Sequence, residues 1–312
     1  MISNELLFSV AVDYYEKKMT KSDIGKRLGV SHVQVGKYLN SATERGIVEI
    51  ILNPPSVLPE EKERLSSLFR EKYGLETLVL VTGTSSERNS YTFLVEGAVQ
   101  YILDNFPNDA CRLGFGLGRV MNEIVSYRLR IVDKRSRWKI VPILDYDNQE
   151  MAGEFYDYLS FSERFCQNWG VSLDKKTRQR LVSYLDGEDP DDLGYYDDLG
   201  IVIGGVGVPF SLNPKLRSIM FSRDELERIK GHDIAGDYLN YHFDDEGNVI
   251  KSHAMASSSI PIERLRAVGT RIAVANGYSK VGSIDGLLKT GLVNVLVTDL
   301  PTAKNILSLS MR

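Results

Sequence analysis

Three short turns in this chain combine glycine with the polar groups that hold anions. The first, Gly114-Phe-Gly-Leu-Gly-Arg-Val120, follows an apolar run and opens an amphipathic one. Its glycines let backbone amides close on a negative group, and Arg119 adds a planar cationic fork. The second, Gly204-Gly-Val-Gly207, follows the apolar run Ile201–Ile203. The third, Asn276-Gly-Tyr-Ser-Lys280, precedes a helical segment carrying Ile284 and Leu287, and sets Lys280 to meet a phosphate or a carboxylate. Together they point to a small anionic ligand. The first turn imitates a dinucleotide fingerprint only loosely. No acidic residue ends a neighbouring strand at the distance a ribose would need, so neither NAD nor any other cofactor is expected.

Such turns work only if a sheet holds them. Apolar segments at Leu78–Val81, Arg112–Gly116, Lys139–Leu144, Ile201–Gly205, Arg271–Ala275 and Asn294–Thr298 read as strands. Helices fit at about Tyr91–Leu103, Arg119–Leu129, Met151–Asn168, Lys175–Leu185, Asp224–Lys230, Lys280–Lys289 and Thr302–Leu309, after a charge-rich helix over Leu58–Tyr73. Short apolar strands alternating with helices predict a Rossmann-like, mostly parallel α/β domain covered on both faces. In such sheets ligands lie beyond the carboxyl ends of the strands, where all three turns fall. The acidic stretch Asp186–Asp198 reads as an exposed loop.

Residues 1–55 have a different character. Thr20 or Ser22 can cap a short helix with Ile24 and Leu28 as its apolar positions. Gly29 supplies a left-handed stop, and Ser31 caps a second helix that turns Val35, Leu39 and Ala42 inward. An earlier helix, Glu5 to Lys18, closes the small core with Leu6, Leu7, Val10, Ala11 and Tyr14. Ile47–Leu52 alternates like a wing strand before Asn53-Pro54-Pro55 stops regular structure. The pattern is a winged helix-turn-helix, whose second helix fits a DNA major groove. His32, Gln34, Lys37 and Tyr38 are the outward candidates: Gln suits adenine, Lys suits guanine or a phosphate, and Tyr38 either packs or touches a sugar. Thr20 and Ser31 suit backbone contacts, and Lys21 belongs to the basic cluster between Lys17 and Lys37. Residues 1–52 carry seven basic against six acidic side chains. So weakly basic a head needs doubling to hold DNA, which implies self-association.

Composition bounds the rest. The chain has 312 residues with 43% apolar and 26% charged side chains, room for two domains: 1–55 and 56–312. A net charge of −4 argues against nonspecific coating of nucleic acid. No apolar run approaches a membrane span, and the opening MISNELLFSVAVDYY lacks a basic start and cleavage region; no membrane partner and a cytoplasmic location are expected. Two cysteines, Cys111 and Cys166, make neither a metal site nor a disulfide framework.

Along nearly its whole length the chain resembles the SorC family of sugar-binding transcriptional regulators. The matching residues are MTKSDIGKRLGVS–VGKYLNSATERGIVEI, LGFGLGRVMNEIV, IVIGGVG, Ile234–Ile250 (IAGDYLNYHFDDEGNVI) and Arg271–Ala303. The resemblance implies a C-terminal domain like those of sugar-phosphate isomerases and CoA transferases, with the isomerase chemistry unused. It also implies a homodimer or tetramer on operator DNA, and an effector that alters DNA binding, usually a phosphorylated sugar. The effector-binding candidates are Gly116, Gly118, Arg119, Asp145, Gly205, Asp237 and Lys280; Asp237 and Lys280 match the family's residues, whereas Asp145 stands where the family more often has paired glycines. Asp237 of the glycine-aspartate motif either binds ligand hydroxyls or caps a turn. The family's phosphate loop carries Ser or Thr where this chain has Gly116, Arg119 and Val120, so a carboxylate effector such as citrate stands beside a phosphosugar. Gly36-Lys37 replaces the usual Ser-Arg on the recognition helix. No catalytic residue is expected. The alternative is a sugar-phosphate isomerase or lyase with an accessory DNA-binding domain, which needs a positioned acid/base pair. His232, His242 and His253 lie outside the glycine turns, and Asp145 and Asp237 lack an evident partner.

Overall fold

The computed structural model describes residues 2–48, 57–83, 87–106, 110–129, 133–143, 158–174, 196–208, 233–250 and 259–309. The chain divides into two compact units, Met1–Pro54 and Pro55–Arg312.

The smaller unit is built on caps. Helix α1 (Asn4–Ala11) continues into one wider turn at Val12–Glu16, and α2 (Lys21–Leu28) and α3 (His32–Glu44) follow. Thr20 Oγ1 accepts the Asp23 amide at 3.2 Å, and Ser31 Oγ accepts the Gln34 amide at 3.2 Å, so each helix starts on a hydroxyl. Gly29 ends α2 at φ 67°, a left-handed geometry that costs a side-chain-bearing residue more than it costs glycine. Val10, Ile24, Val35 and Leu39 make the core, with Tyr14, Leu28 and Tyr38 packed against it. Sequence periodicity did not expose the buried Asp13, which pairs with Arg27 of α2 and with Lys17 at 3.0 Å, tying the end of the first helix to the second. The expected wing strand lies outside the described residues from Glu49 onward. Ile47 and Val48 turn back instead, their amides both bonding the Ala42 carbonyl.

The larger unit opens with α4 (Pro59–Tyr73), β1 (Thr77–Val81), α5 (Glu87–Asn105), β2 (Arg112–Phe115), α6 (Arg119–Ser126), β3 (Lys139–Pro142), α7 (Tyr158–Trp169), β4 (Ser172–Leu173) and β5 (Ile201–Gly205). It continues with β6 (Ile234–Tyr238), β7 (Tyr241–Asp244), β8 (Val249–Ile250), α8 (Ile262–Ala267), β9 (Thr270–Val274), α9 (Val281–Thr290), β10 (Val295–Asp299) and α10 (Leu300–Leu309). Among the described residues, seven strands form a parallel sheet in the order β1-β10-β9-β5-β2-β3-β4. Alternate residues of each strand enter opposite cores. Ile201 and Ile203 join the side under α5, α6 and α7, while Val202 joins the side under α4, α9 and α10. That burial on both faces is why the strands read as continuous apolar runs.

The differences from expectation are local. The small antiparallel sheet β6-β7-β8 and the helix α8 were not anticipated, and α6 stops at Ser126 rather than Leu129. The helices expected at Lys175–Leu185 and Asp224–Lys230, and most of the acidic stretch Asp186–Asp198, lie outside the described residues. Cys111 and Cys166 are half-buried thiols, and burial pushes the Cys111 thiol up to about 11.

One polar network links α4 to α9. Asp285 accepts a hydrogen bond from Tyr73 Oη at 2.5 Å and pairs with Lys289 at 2.7 Å and Lys72 at 3.3 Å. Burial works against its charge, but the hydrogen bonds of Lys289 and Tyr73 and the attraction of Lys289 and Lys72 outweigh it and hold the carboxyl below its usual value. A depressed carboxyl stabilises the fold fully above the unfolded value of about 3.9, and that contribution disappears as pH falls through the lower folded value. Asp285→Asn is therefore expected to lose about 1–3 kcal/mol at pH 7, with the gap from wild type closing below about pH 4. Urea titrations at pH 7, 5 and 3 check it; a gap independent of pH would refute it.

Candidate functional site

Strand order turns three distant turns into neighbours. The chain leaves β2 toward β3 on one side and returns through β5 toward β9 on the other, so the winding reverses between β2 and β5. A reversal of that kind opens a crevice beyond the strand ends, where no crossover covers it. The Gly114–Val120 turn leaves β2, the Gly204–Gly207 turn leaves β5, and the Asn276–Lys280 turn leaves β9, on three adjacent strands.

The third turn reaches across to the second. Lys280 Nζ donates to the Val206 carbonyl at 2.7 Å. It lies within electrostatic range of Asp237 and of Arg119; burial lowers its affinity for a proton, Asp237 raises it, and Arg119 lowers it again. Asn276 is used structurally, donating to Asp299 at 2.8 Å, while the Gly277 amide bonds Thr302 Oγ1 at 2.9 Å.

Asp237 sits inside β6, paired in register with His242 of β7. A Cβ placed on Gly207 would come within 2.6 Å of the Asp237 Cγ and closer still to its Oδ1, so the carboxylate occupies the space a side chain would fill. The two backbones also join, Gly207 N–H to Asp237 carbonyl at 2.9 Å. Burial pushes the Asp237 carboxyl up, while His242 and Lys280 draw it down. His242 faces Asp237 across the β6–β7 pair; burial lowers its pKa, and Asp237 and the Asn240 backbone oppose that.

Leu239 is the residue whose role sequence reasoning missed. It and Asn240 form the β6–β7 hairpin turn with φ of 52° and 64°, the two-residue geometry that Asn and Gly favour and a branched side chain resists. Its side chain fills the gaps left by Gly116 and Gly204, where an added Cβ would lie 2.6 and 2.7 Å from Leu239 Cδ2. Ser259 Oγ donates to the Leu239 carbonyl at 2.8 Å, and Tyr238 Oη to Ile272 at 2.9 Å, seating the hairpin on the sheet. No local signal marks a leucine for such a turn; packing against the two glycines holds it there.

The structure thus brings Arg119, Gly205, Asp237 and Lys280 to one crevice. Gly118, at φ 124°, starts α6 beside them with open space at its Cα. Gly116 and Gly205 serve packing: the first admits Leu239, and the second admits Val120, whose Cγ1 an added Cβ would approach to 2.8 Å. Asp145 lies outside the described residues, past the end of β3. Two cations and a carboxylate within electrostatic range of Lys280 are the groups that could hold a polyhydroxylated anion, charge to charge and hydroxyl to carboxylate.

Residues 192–308 match the family described as "Putative sugar-binding domain". The sorbitol operon regulator of Klebsiella pneumoniae is 23% identical over 97% of this chain and 97% of its own length. The transcriptional regulator LsrR of Escherichia coli K12 is 24% identical over 98% and 96%. The crystal structure of the full-length Klebsiella regulator SorC superposes with a TM-score of 0.61, at 22% identity over 97% of this chain and 99% of that one. The chain is thus similar to SorC-type regulators along nearly its whole length. Gly205, Asp237 and Lys280 fall inside the matched sugar-binding segment, and Gly116, Gly118 and Arg119 precede it on the same sheet.

On the smaller unit, the expected DNA-facing residues divide. Lys21, His32 and Lys37 are exposed, and so are the capping residues Thr20 and Ser31. Lys21 also lies over the Tyr14 ring, 5.6 Å from its centroid. Gln34 is half-buried, and Tyr38 packs on the core cluster of Val10, Ile24, Val35 and Leu39, so its ring is committed inward. The 100° step per residue decides this: 34 and 38 border the face carrying Val35 and Leu39.

Proposed function

We propose that this chain is a DNA-binding transcriptional regulator whose larger unit holds a small anionic metabolite, a phosphorylated sugar or a carboxylate such as citrate, and changes operator binding when it does. The observation carrying this reading is the meeting of Arg119, Lys280 and Asp237 at the winding reversal, in a chain that also bears a capped helix-turn-helix. Residues 1–55 are the DNA-binding head and 56–312 the effector and self-association module. Thr20, Lys21, Ser31, His32 and Lys37 meet DNA; Arg119, Gly118, Asp237 and Lys280 meet the effector. The protein acts in the cytoplasm, as a dimer or tetramer, and performs no chemistry on its ligand. Occupancy of the crevice biases the spacing of two recognition helices, for which a coupling of about 1–3 kcal/mol suffices.

The test pairs a duplex covering the promoter beside the gene with a thermal-shift panel of sugar phosphates and polycarboxylates. A panel member that stabilises the chain is expected to change its affinity for that duplex. Binding to no duplex from that region, with or without ligand, would overturn the reading. Lys37→Ala is expected to weaken duplex binding about 3–10-fold and flatten its salt dependence by about one phosphate contact per subunit, leaving effector affinity unchanged. A loss of effector affinity instead would refute the two-module assignment.

A second reading keeps one observation. His242 and Lys280 each lie within electrostatic reach of Asp237, the ingredients of an acid/base group. Turnover of any sugar phosphate by the purified chain would favour an isomerase or lyase over a regulator.

A further inference from the structure

The outward stripe of α3 differs from the one that residue types suggest. Val35, Leu39 and Ala42 are buried, which turns positions 33, 36, 37 and 40 to the opposite side. Val33 is 57% exposed, one of the few large apolar side chains left in solvent among the described residues. Gly36, one turn on, has nothing within 4 Å of where a Cβ would stand, so the strip beside Val33 is bare backbone. Lys37 and Asn40 flank it, both exposed. Val33 lies in the first turn after the Ser31 cap, the end of a recognition helix that enters the groove most deeply.

We infer that Val33 is a specificity-determining residue, seating its two methyl groups against the 5-methyl group of a thymine in the major groove, with Gly36 as the gap that lets the base edge come close. The inference rests on the DNA-binding reading above. An exposed valine on a helix face gains no burial on folding. Among groove-edge groups the thymine methyl is the one apolar partner, and it distinguishes thymine from every other base. The neighbours agree on DNA as the occupant. Lys37 can reach a phosphate or guanine one turn away, and Ser31 and Thr20 stand at the two helix starts that face a backbone. Asn40, in line with Val33 along the stripe, has the donor and acceptor pair that adenine presents to. Gln34 and Tyr38, half-buried on the core side, take a secondary place.

The test uses the full chain and a pool of randomised duplexes, from which bound sequences are enriched and an operator consensus read. Each thymine of that consensus is then replaced, one at a time, by deoxyuridine, which removes only the methyl group. The expected result is one position per half-site where deoxyuridine weakens the wild-type chain about fourfold, the effect of one buried methyl group. At that position Val33→Ala binds thymine and deoxyuridine equally, whereas Lys37→Ala still tells them apart. Because Val33 is exposed, the alanine variant is expected to melt with wild type, and equal melting curves check that it folds. If deoxyuridine is silent everywhere, or Val33→Ala discriminates as wild type does, the inference is wrong while the DNA-binding reading stands. If no sequence is enriched, both fall.

Discussion

Lys280→Ala is expected to abolish the response to effector while leaving DNA binding intact. The ammonium group is drawn into the crevice between the second and third glycine turns, held by the Val206 carbonyl and facing Asp237 and Arg119. A ligand anion arriving there replaces water around a cation already partly stripped of it, so the charge pair is worth more than one on the surface. Removing one partner of a buried, hydrogen-bonded charge pair costs about 2–5 kcal/mol, or about 30-fold to several thousand-fold in affinity. The fold itself loses one hydrogen bond, about 1 kcal/mol. The two costs separate in one experiment. In a thermal-shift titration the ligand-free variant melts near wild type, and the stabilisation given by the active panel member disappears. Duplex binding without ligand stays at the wild-type level. Arg119→Ala is expected to act in the same direction with a smaller loss, because Arg119 is exposed at the rim. If Lys280→Ala still answers the ligand, the anion is held elsewhere.

Gly207→Ala is expected to damage the larger unit and the seat of Asp237 together. The backbone of Gly207 is not left-handed, so alanine brings no conformational strain; what it lacks is room. The added carbon would lie 2.6 Å from the Asp237 Cγ and 2.9 Å hydrogen bonding between the two backbones prevents them from parting. Either the carboxylate leaves its seat or the β5 and β6 segments separate. Overpacking of this kind costs about 1–3 kcal/mol, about 2–12 °C in melting temperature for a unit of this size. Displacing Asp237 also removes the group proposed above to face ligand hydroxyls. Adding Asp237→Ala in the same chain vacates the space, so the double variant is expected to recover stability without recovering ligand affinity. A single variant that melts and binds like wild type would show that the carboxylate is not confined by Gly207.

Both variants act on Asp237, which burial alone would leave protonated more readily than a solvent carboxyl. Lys280 and His242 oppose that, so the charge at this position depends on neighbours from two separate elements, the third glycine turn and β7. A ligand cation or hydroxyl donor would add to the same side, and an anion next to Asp237 would subtract. In the proposed reading, the anionic end of a ligand meets Arg119 and Lys280, and its hydroxyls meet Asp237.

The helix-turn-helix was legible in the residues because everything that defines it is local. Thr20, Gly29 and Ser31 act within four residues of themselves, as caps or as a left-handed stop, and those interactions need no partner from elsewhere. The strands of the parallel sheet were legible for a related reason: burial on both faces writes an apolar run into the chain wherever it occurs. The hairpin β6–β7 was not, since IAGDY and YHFD mix small, polar and aromatic residues, and its turn uses leucine where a glycine signal would be sought. The three anion-type turns could be seen singly, but nothing in the chain says that the strands before them lie side by side. That follows from the order β9-β5-β2, a product of long-range packing. The seat of Asp237 against Gly207, the commitment of Tyr38 to the core and the exposure of Val33 were likewise decided in three dimensions. Short-range chemistry set which pieces form; the competition among apolar faces for burial set which pieces meet.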